Sequence, residues 1–264
     1  MREGTSPDFI EAIARGFDVI RSFERSPTQT LTEVSQGAGL ARPTARRVLI
    51  TLEELGYVHA DDGRFELTPR VLELGVSYFA GSDFWTAAVP RLRQLVEQTH
   101  ESCSIAQLDG SDIVYVARVA VPKLVTLSVA VGTRFPAPQT SLGKVLLADL
   151  EPSQLDAVLA EPSRSGVDPT WKPTRAELDE VLARVRENGW AVSDQQLAPA
   201  IRSVAAPIRR GDGSVFASIN VNAHAGETTI ARLTDDHLPH LLRTAADLSV
   251  DHTLRARIPA AVTG

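Results

Sequence analysis

Residues 30–58 read TLTEVSQGAGLARPTARRVLITLEELGYV, and the punctuation of this stretch decides the fold of the N-terminal part of the chain. Thr30 followed three residues later by Glu33 is a capping box, in which each side chain satisfies a backbone N–H that the first turn of a helix leaves open. Gly37 and Gly39 flank Ala38 in a turn too tight for a long loop. A further helix follows, with Ala45, Val48, Leu49, Leu52 and Leu55 on one face and Gly56 as its stop. Upstream, Phe9, Ile13, Phe17 and Ile20 recur at three-to-four spacing and mark one apolar face of a first helix. Downstream, Tyr57–Ala60 and Arg64–Leu67 are strand candidates around Asp61-Asp62-Gly63, and Asp-Gly is a strong hairpin signal. Helix, helix, turn, helix, hairpin is the order of a winged helix-turn-helix.

Thr68-Pro69 opens another helix, whose stripe of Val71, Leu72, Gly75, Val76 and Phe79 has no core of its own. It reads as a linker able to pair with a second subunit. After Gly81-Ser82-Asp83 the pattern changes. A helix near 86–99 leads into β-branched runs at 103–108, 112–119 and 124–131, then helices near 141–149, 153–160 and 174–188. Strands at 190–196, 203–210 and 214–222 and a closing helix near 234–252 complete the chain. Strands grouped in two threes point to an α+β domain with a mainly antiparallel sheet. The expected domains are 1–68, a winged helix; 69–81, the linker; and 82–264, a separate α+β domain.

The chain has 264 residues, 43% hydrophobic and 23% charged, the balance of an ordinary globular protein. No run approaches the length of a membrane span, and the N-terminus lacks the apolar stretch of a signal peptide. The single cysteine, Cys103, can form no internal disulfide. A cytoplasmic protein is expected. The net charge of -6 argues against a general polyanion binder, and residues 1–80 alone carry nine basic against twelve acidic side chains. Any contact with nucleic acid must therefore be local.

The helix over 42–55 supplies a local site. Its first turns read Arg42-Pro43-Thr44-Ala45-Arg46-Arg47, while Glu53 and Glu54 lie at its other end. Guanidinium groups and the free N–H groups of a helix start both attract phosphate, so this helix should approach DNA by its N-terminus. Thr44 and Arg42 are placed to reach base edges; Arg46, Arg47 and Arg64 at the hairpin tip are placed to hold phosphates. Taken alone, such a basic run is more often a solvated face balanced by nearby acids. The capping box, glycine turn and hairpin around it favour the DNA reading. Ala41 or Arg42 must serve as N-cap, and neither is a good one.

Residues 12–75 resemble the DNA-binding region of IclR-family transcription regulators in AIARGFDVIRSF (12–23), LTEVSQGAGLARPTARRVLITLEELGYV (31–58) and GRFELTPRVLELG (63–75). Further on, GTRFPAPQTSLGKVLLADL (132–150) is similar to the loop and helix at the family's effector site. GWAVSDQQLAPAIRSVAAPIRRGDGSVFASINVNA (189–223) is similar to its final strands. Nearly the whole chain is covered, and the wording looks closest to the branch that regulates aromatic-acid catabolism through the β-ketoadipate pathway, the protocatechuate and p-hydroxybenzoate regulators. The resemblance implies a GAF-like effector domain, dimers or tetramers, palindromic promoter sites, no catalysis and no cofactor. The effector, a small aromatic or dicarboxylic acid, would lie among Ser141, Leu142 and Gly143, with Asp194, Ser203, Asn220 and Asn222 projecting from the later strands. Where related regulators carry an acidic residue and a glycine, this chain reads QLAPAI at 196–201.

The residues themselves give this site some support. Thr140-Ser141-Leu142-Gly143 precedes a helix, and N–H groups at a helix start suit a carboxylate. Asn220 and Asn222 at spacing two share one face of a strand. Each residue also has an ordinary structural role: Ser141 as a helix cap, Asp194 in a turn, the asparagines on backbone groups. Arg118 and Arg202 could pair with a carboxylate, although strand arginines usually face solvent. A catalytic reading of His100, Glu101 and Cys103 is weaker than that of a buried cysteine. His237 and His240 beside Asp236 are weak support for zinc and read as a solvated helix face. The alternative to a DNA-binding regulator is a stand-alone metabolite-binding protein.

Overall fold

The computed structural model describes residues 6–80, 84–122 and 129–257. The chain divides into two compact units, residues 1–81 and 82–264.

In the first unit α1 (Glu11–Ser22), α2 (Leu31–Gly37) and α3 (Arg42–Glu54) surround a core of Val19, Phe23, Val34, Leu49, Leu52 and Val58. The Thr30/Glu33 capping box is formed on both sides, and the Thr30 backbone N–H holds the Glu33 carboxyl below its ordinary pKa. The hairpin joins β2 (Val58–Asp61) to β3 (Arg64–Leu67), with Asp61 opposite Arg64. Its two loop residues, Asp62 at φ 43° and Gly63 at φ 73°, are both left-handed, which matches the right-handed twist of the strands they join. A third strand that the sequence did not announce, β1 (Thr28–Thr30), pairs with β3. It is anchored by buried Gln29, which donates to the carbonyls of Ser22 and Ser26.

Two apolar faces of this unit do not pack inside it. Of the α1 stripe, Ile13 is 56% exposed and Phe17 49%, because Val19 and Phe23 supply the inward contacts instead. The segment after the hairpin starts as a 3-10 turn (Pro69–Val71) capped by Thr68 and continues as α4 (Leu72–Ala80), on which Leu72, Leu74, Val76 and Tyr78 are all exposed.

The second unit is built on a six-stranded sheet in which every neighbouring pair is antiparallel, the GAF-like architecture implied by the resemblance. Its strands are β4 (Ser102–Asp109), β5 (Asp112–Val119), β6 (Arg134–Pro136), β7 (Ala191–Asp194), β8 (Ile201–Arg209) and β9 (Val215–His224), in the order β6-β5-β4-β9-β8-β7. Of the strand expected at 124–131, residues 124–128 lie outside the described residues. The third strand forms at 134–136, where Phe135 enters the core. On one face lie α6 (Ser141–Ala148), α7 (Pro152–Ala160) and α8 (Arg175–Asn188), packed through Leu142, Leu146, Leu155 and Leu182. On the other lie α5 (Phe84–Thr99) and a closing segment made of α9 (Ile230–Arg232), a π-helical turn (Leu233–His237) and α10 (Leu238–Arg257).

Candidate DNA interface and effector site

In α3 the core takes Ala45, Leu49 and Leu52, which turns the guanidinium groups outward. Arg42, Arg46 and Arg47 are exposed, Thr44 is half-buried, and Arg42 and Pro43 open the helix. The N-cap is Ala41, which has no side-chain acceptor to offer. The first-turn N–H groups of Arg42 and Thr44 therefore stay open, as an anion site requires. Among the described residues no carboxylate pairs with Arg42, Arg46 or Arg47. Arg64 at the start of β3 is exposed, stands opposite Thr30 in register, and lies near enough to Glu33 to favour its ionised form. The other end of α3 is closed from within: Arg70 donates to the Leu55 carbonyl at 2.9 Å beneath Gly56, whose φ of 80° ends the helix. One helix thus has an open cationic end and a satisfied carbonyl end.

In the second unit the strand register sorts the expected effector residues by face. Ser193 lies opposite Ser203, Ser203 opposite Asn222, Ala205 opposite Asn220, and Asn220 opposite Ser104. Cross-strand partners share a face, so Ser203, Asn220 and Asn222 all point toward α6. The Ser203 hydroxyl meets that of Ser141 at 2.7 Å. Thr140, the cap of α6, accepts from the Gly143 N–H, which leaves the Ser141 and Leu142 N–H groups open.

Two members of the expected set are placed differently from the rest. Asp194 lies one residue beyond Ser193 and on the opposite face, where Arg202 donates to it at 2.8 Å and also to the Thr228 carbonyl. That network continues through the Thr228 hydroxyl to buried Glu101, away from α6. Gly143 has its N–H occupied and is required for another reason. A Cβ there would lie 2.1 Å from the Ala137 carbonyl oxygen, so glycine lets the backbone preceding α6 approach the helix.

The structure gives surroundings to Arg118, which the sequence offered as a possible carboxylate partner, and adds Tyr115 and Lys144, which periodicity could not find. Arg118 stands opposite Ser104 on the α6 face and donates to its hydroxyl at 2.9 Å. Burial holds its guanidinium below the ordinary pKa, and among the described residues it pairs with no carboxylate. Among the described residues its Nε is buried without a partner, as are Oδ1 of Asn220, Oδ1 of Asn222 and Oε1 of Gln139. A domain of this size rarely leaves such groups unsatisfied in one region, because each costs about 1 to 3 kcal/mol. Tyr115, on the same face, is buried with its hydroxyl pushed up to about 12, and its ring meets Phe135 edge-on. Lys144, 2% exposed, donates to the Val192 carbonyl and to Gln196 and lies over the Trp171 ring; burial first, then the charge of Arg184, lowers its pKa to about 8.

The remaining candidates fall away. Cys103 is buried with its thiol pushed up to about 12, unlike a nucleophile. His237 is buried rather than on a solvated helix face, against the sequence expectation, because the π turn rotates it inward near Glu101. Among the described residues no cluster of histidine, cysteine and carboxylates could hold a metal, and no helix is long and apolar enough to cross a membrane.

Comparison with known proteins gives two family matches along the chain. Residues 12–62 match the IclR helix-turn-helix domain, and residues 76–250 match the bacterial transcriptional regulator IclR C-terminal domain. The chain is 38% identical over 250 residues to the Pca regulon regulatory protein of Pseudomonas putida, covering 92% of this chain and 84% of that one. It is 30% identical over 247 residues, 91% of each chain, to the p-hydroxybenzoate hydroxylase transcriptional activator of Acinetobacter baylyi. The fold is shared, at a TM-score of 0.76 and 23% identity over 93% of this chain and 99% of the other, with an IclR homolog of Microbacterium hydrocarbonoxydans crystallised with 4-hydroxybenzoate. The chain belongs to the IclR family of DNA-binding transcriptional regulators, on its aromatic-acid branch, and is not an enzyme.

Proposed function

We propose that the regulator binds palindromic promoter DNA as a homodimer and is controlled by a small organic acid held between α6 and the sheet of residues 82–264. Residues 1–68 form the DNA-binding domain, 69–81 the linker and 82–264 the effector domain of a cytoplasmic protein. The observation that carries the DNA part is the cationic start of α3, whose arginines pair with no carboxylate among the described residues. Thr44 and Arg42 read base edges there, while Arg46, Arg47 and Arg64 hold phosphates.

Pairing of two copies is supported by apolar residues that this chain leaves exposed on α1 and α4. An open groove of about 900 Å³ lies between α1 and α3, lined by Ile13, Phe17, Ile50, Leu55 and Leu74. The acid is supported by Arg118, Ser141, Ser203, Asn220 and Asn222 on one face, and by the relatives' concern with Pca and p-hydroxybenzoate genes. Acid binding then alters the placement of the two recognition helices through residues 69–81, which requires the acid to favour one arrangement over the other.

The experiment is a genomic-fragment pull-down with purified protein at near-physiological salt and excess nonspecific competitor. Enrichment of a few promoter fragments sharing an inverted repeat is expected. No enrichment by folded protein, at that salt or lower, would favour a stand-alone metabolite binder.

A further inference from the structure

We propose that Thr68 and Arg70 lock the first turn of the linker onto the exit of the recognition helix α3, and that Arg70 is thereby a positioning residue for the half-site spacing the regulator accepts. The proposal rests on the reading above that paired chains bind an inverted repeat, and adds to it the contact that holds each reading head at a fixed angle to its linker.

The exit of α3 is closed twice. Within the helix, the Tyr57 N–H reaches back to the Leu52 carbonyl at 2.8 Å and the Gly56 N–H to the Glu53 carbonyl at 2.9 Å, the paired bonds of a Schellman end. The carbonyls that come next have no partner in the helix and ordinarily turn to water. Here three in succession are taken by residues 68–70. That of Leu55 accepts from Nη1 of Arg70 at 2.9 Å, that of Gly56 from the Thr68 hydroxyl at 2.5 Å, and that of Tyr57 from the Thr68 N–H at 2.9 Å. Pro69, between the two donors, has no N–H of its own.

Arg70 holds more than the carbonyl. Its guanidinium lies over the Tyr57 ring, 5.7 Å from the centroid, and its Nε stands 3.6 Å from Glu73 on α4. Gly56 makes room for this, since a Cβ there would lie 2.9 Å from Nη1. The cation also sits at the negative end of the helix dipole, where it is favoured. Further along, α4 leaves Leu72, Val76 and Tyr78 exposed, so the bonds that tie the linker to the winged helix gather at its first turn. Two heads held rigidly to paired linkers present their recognition helices at one separation and one relative rotation, and an operator must match both. Heads free to swivel accept several spacings.

The test uses full-length protein and two duplexes. One carries the inverted repeat enriched in the pull-down; the other has two base pairs inserted between its half-sites, which rotates one half-site by about 70° relative to the other. The wild type should lose about tenfold or more in affinity on the inserted duplex. Arg70→Met, which keeps a long side chain but removes its donors and charge, should lose less than about threefold. Thr68→Val, close in shape but without the hydroxyl donor, should shift the same way, and it serves if Arg70→Met does not fold. A ratio of two affinities cancels any loss of active protein, so a merely destabilised variant keeps the wild-type ratio. On the unaltered repeat the salt slope of Arg70→Met should equal that of the wild type. The wild-type loss retained by a folded variant, or a salt slope lowered by about 1 as for a phosphate contact, overturns the proposal and leaves the DNA-binding reading in place. So does a wild type indifferent to the insertion. A wild type that binds neither duplex removes both.

Discussion

The hydroxyls of Ser141 and Ser203 lie 2.7 Å apart, tying the first residue of α6 to strand β8 across 62 positions of sequence. Both are buried, so neither can turn to water if the other is lost. Replacing Ser203 with alanine leaves the Ser141 hydroxyl unsatisfied and should cost about 1 to 3 kcal/mol. All three tryptophans, Trp85, Trp171 and Trp190, lie within residues 82–264, so urea unfolding followed by tryptophan emission reports on this unit. An unchanged midpoint would show that the contact contributes nothing.

Thr44→Ala and Arg47→Ala should differ in kind. Loss of a base-edge contact at Thr44 changes the preference among operator sequences by about 1 to 3 kcal/mol. Loss of a phosphate contact at Arg47 weakens all sequences alike and lowers the slope of log affinity against log salt by about 1. Binding titrations over a series of operators and salt concentrations measure both. Equal behaviour of the two variants would contradict the assignment.

Lys144 should leave a signature in the pH dependence of stability. Its folded pKa of about 8 lies below the ordinary lysine value of 10.5, because burial disfavours the ammonium. Between those values the unfolded chain binds more protons than the folded one, so stability rises with pH across that window. The full effect is of the order of 3 kcal/mol. Lys144→Met has no such group, and the unfolding free energy of the wild type relative to this variant should climb from pH 8 toward 10.5. A flat or falling difference would place Lys144 in water.

Asp194→Asn should leave acid affinity within about twofold of the wild type, since the side chain faces away from α6. Its partly exposed pairing with Arg202 contributes at most about 1 kcal/mol to stability. A tenfold loss of 4-hydroxybenzoate affinity by calorimetry would return Asp194 to the effector site.

The winged helix was legible because its determinants are local. A capping box, a glycine turn and an Asp-Gly hairpin each act over a few residues, and each forms as expected. β1 was not, because three residues of Thr-Gln-Thr become a strand only by pairing with β3, thirty-six positions away. The apolar stripe of α1 was visible, but periodicity cannot say which surface covers it, and Val19 and Phe23 took the core instead.

In the effector site the alternation of Asn220 and Asn222 was readable, and Arg118 was named as a possible partner for a carboxylate, but its burial was not readable. A strand arginine faces solvent unless tertiary structure covers it, and here Arg118 is part-buried with its guanidinium on the Ser104 hydroxyl of β4. Asp194 lies a single residue of register away from the α6 face, and in a strand that reverses the side on which it stands. Nothing local in the sequence marks that reversal; only the pairing of Ser193 with Ser203 fixes it.

The most direct test of the whole account is a footprint of the full-length protein on a promoter fragment enriched from genomic DNA, with and without saturating 4-hydroxybenzoate at near-physiological salt. Protection of two half-sites of an inverted repeat, with affinity or extent changed by the acid, is the predicted result. Protection that is absent, or identical in both conditions while calorimetry shows the acid bound, would contradict the coupling of effector to DNA.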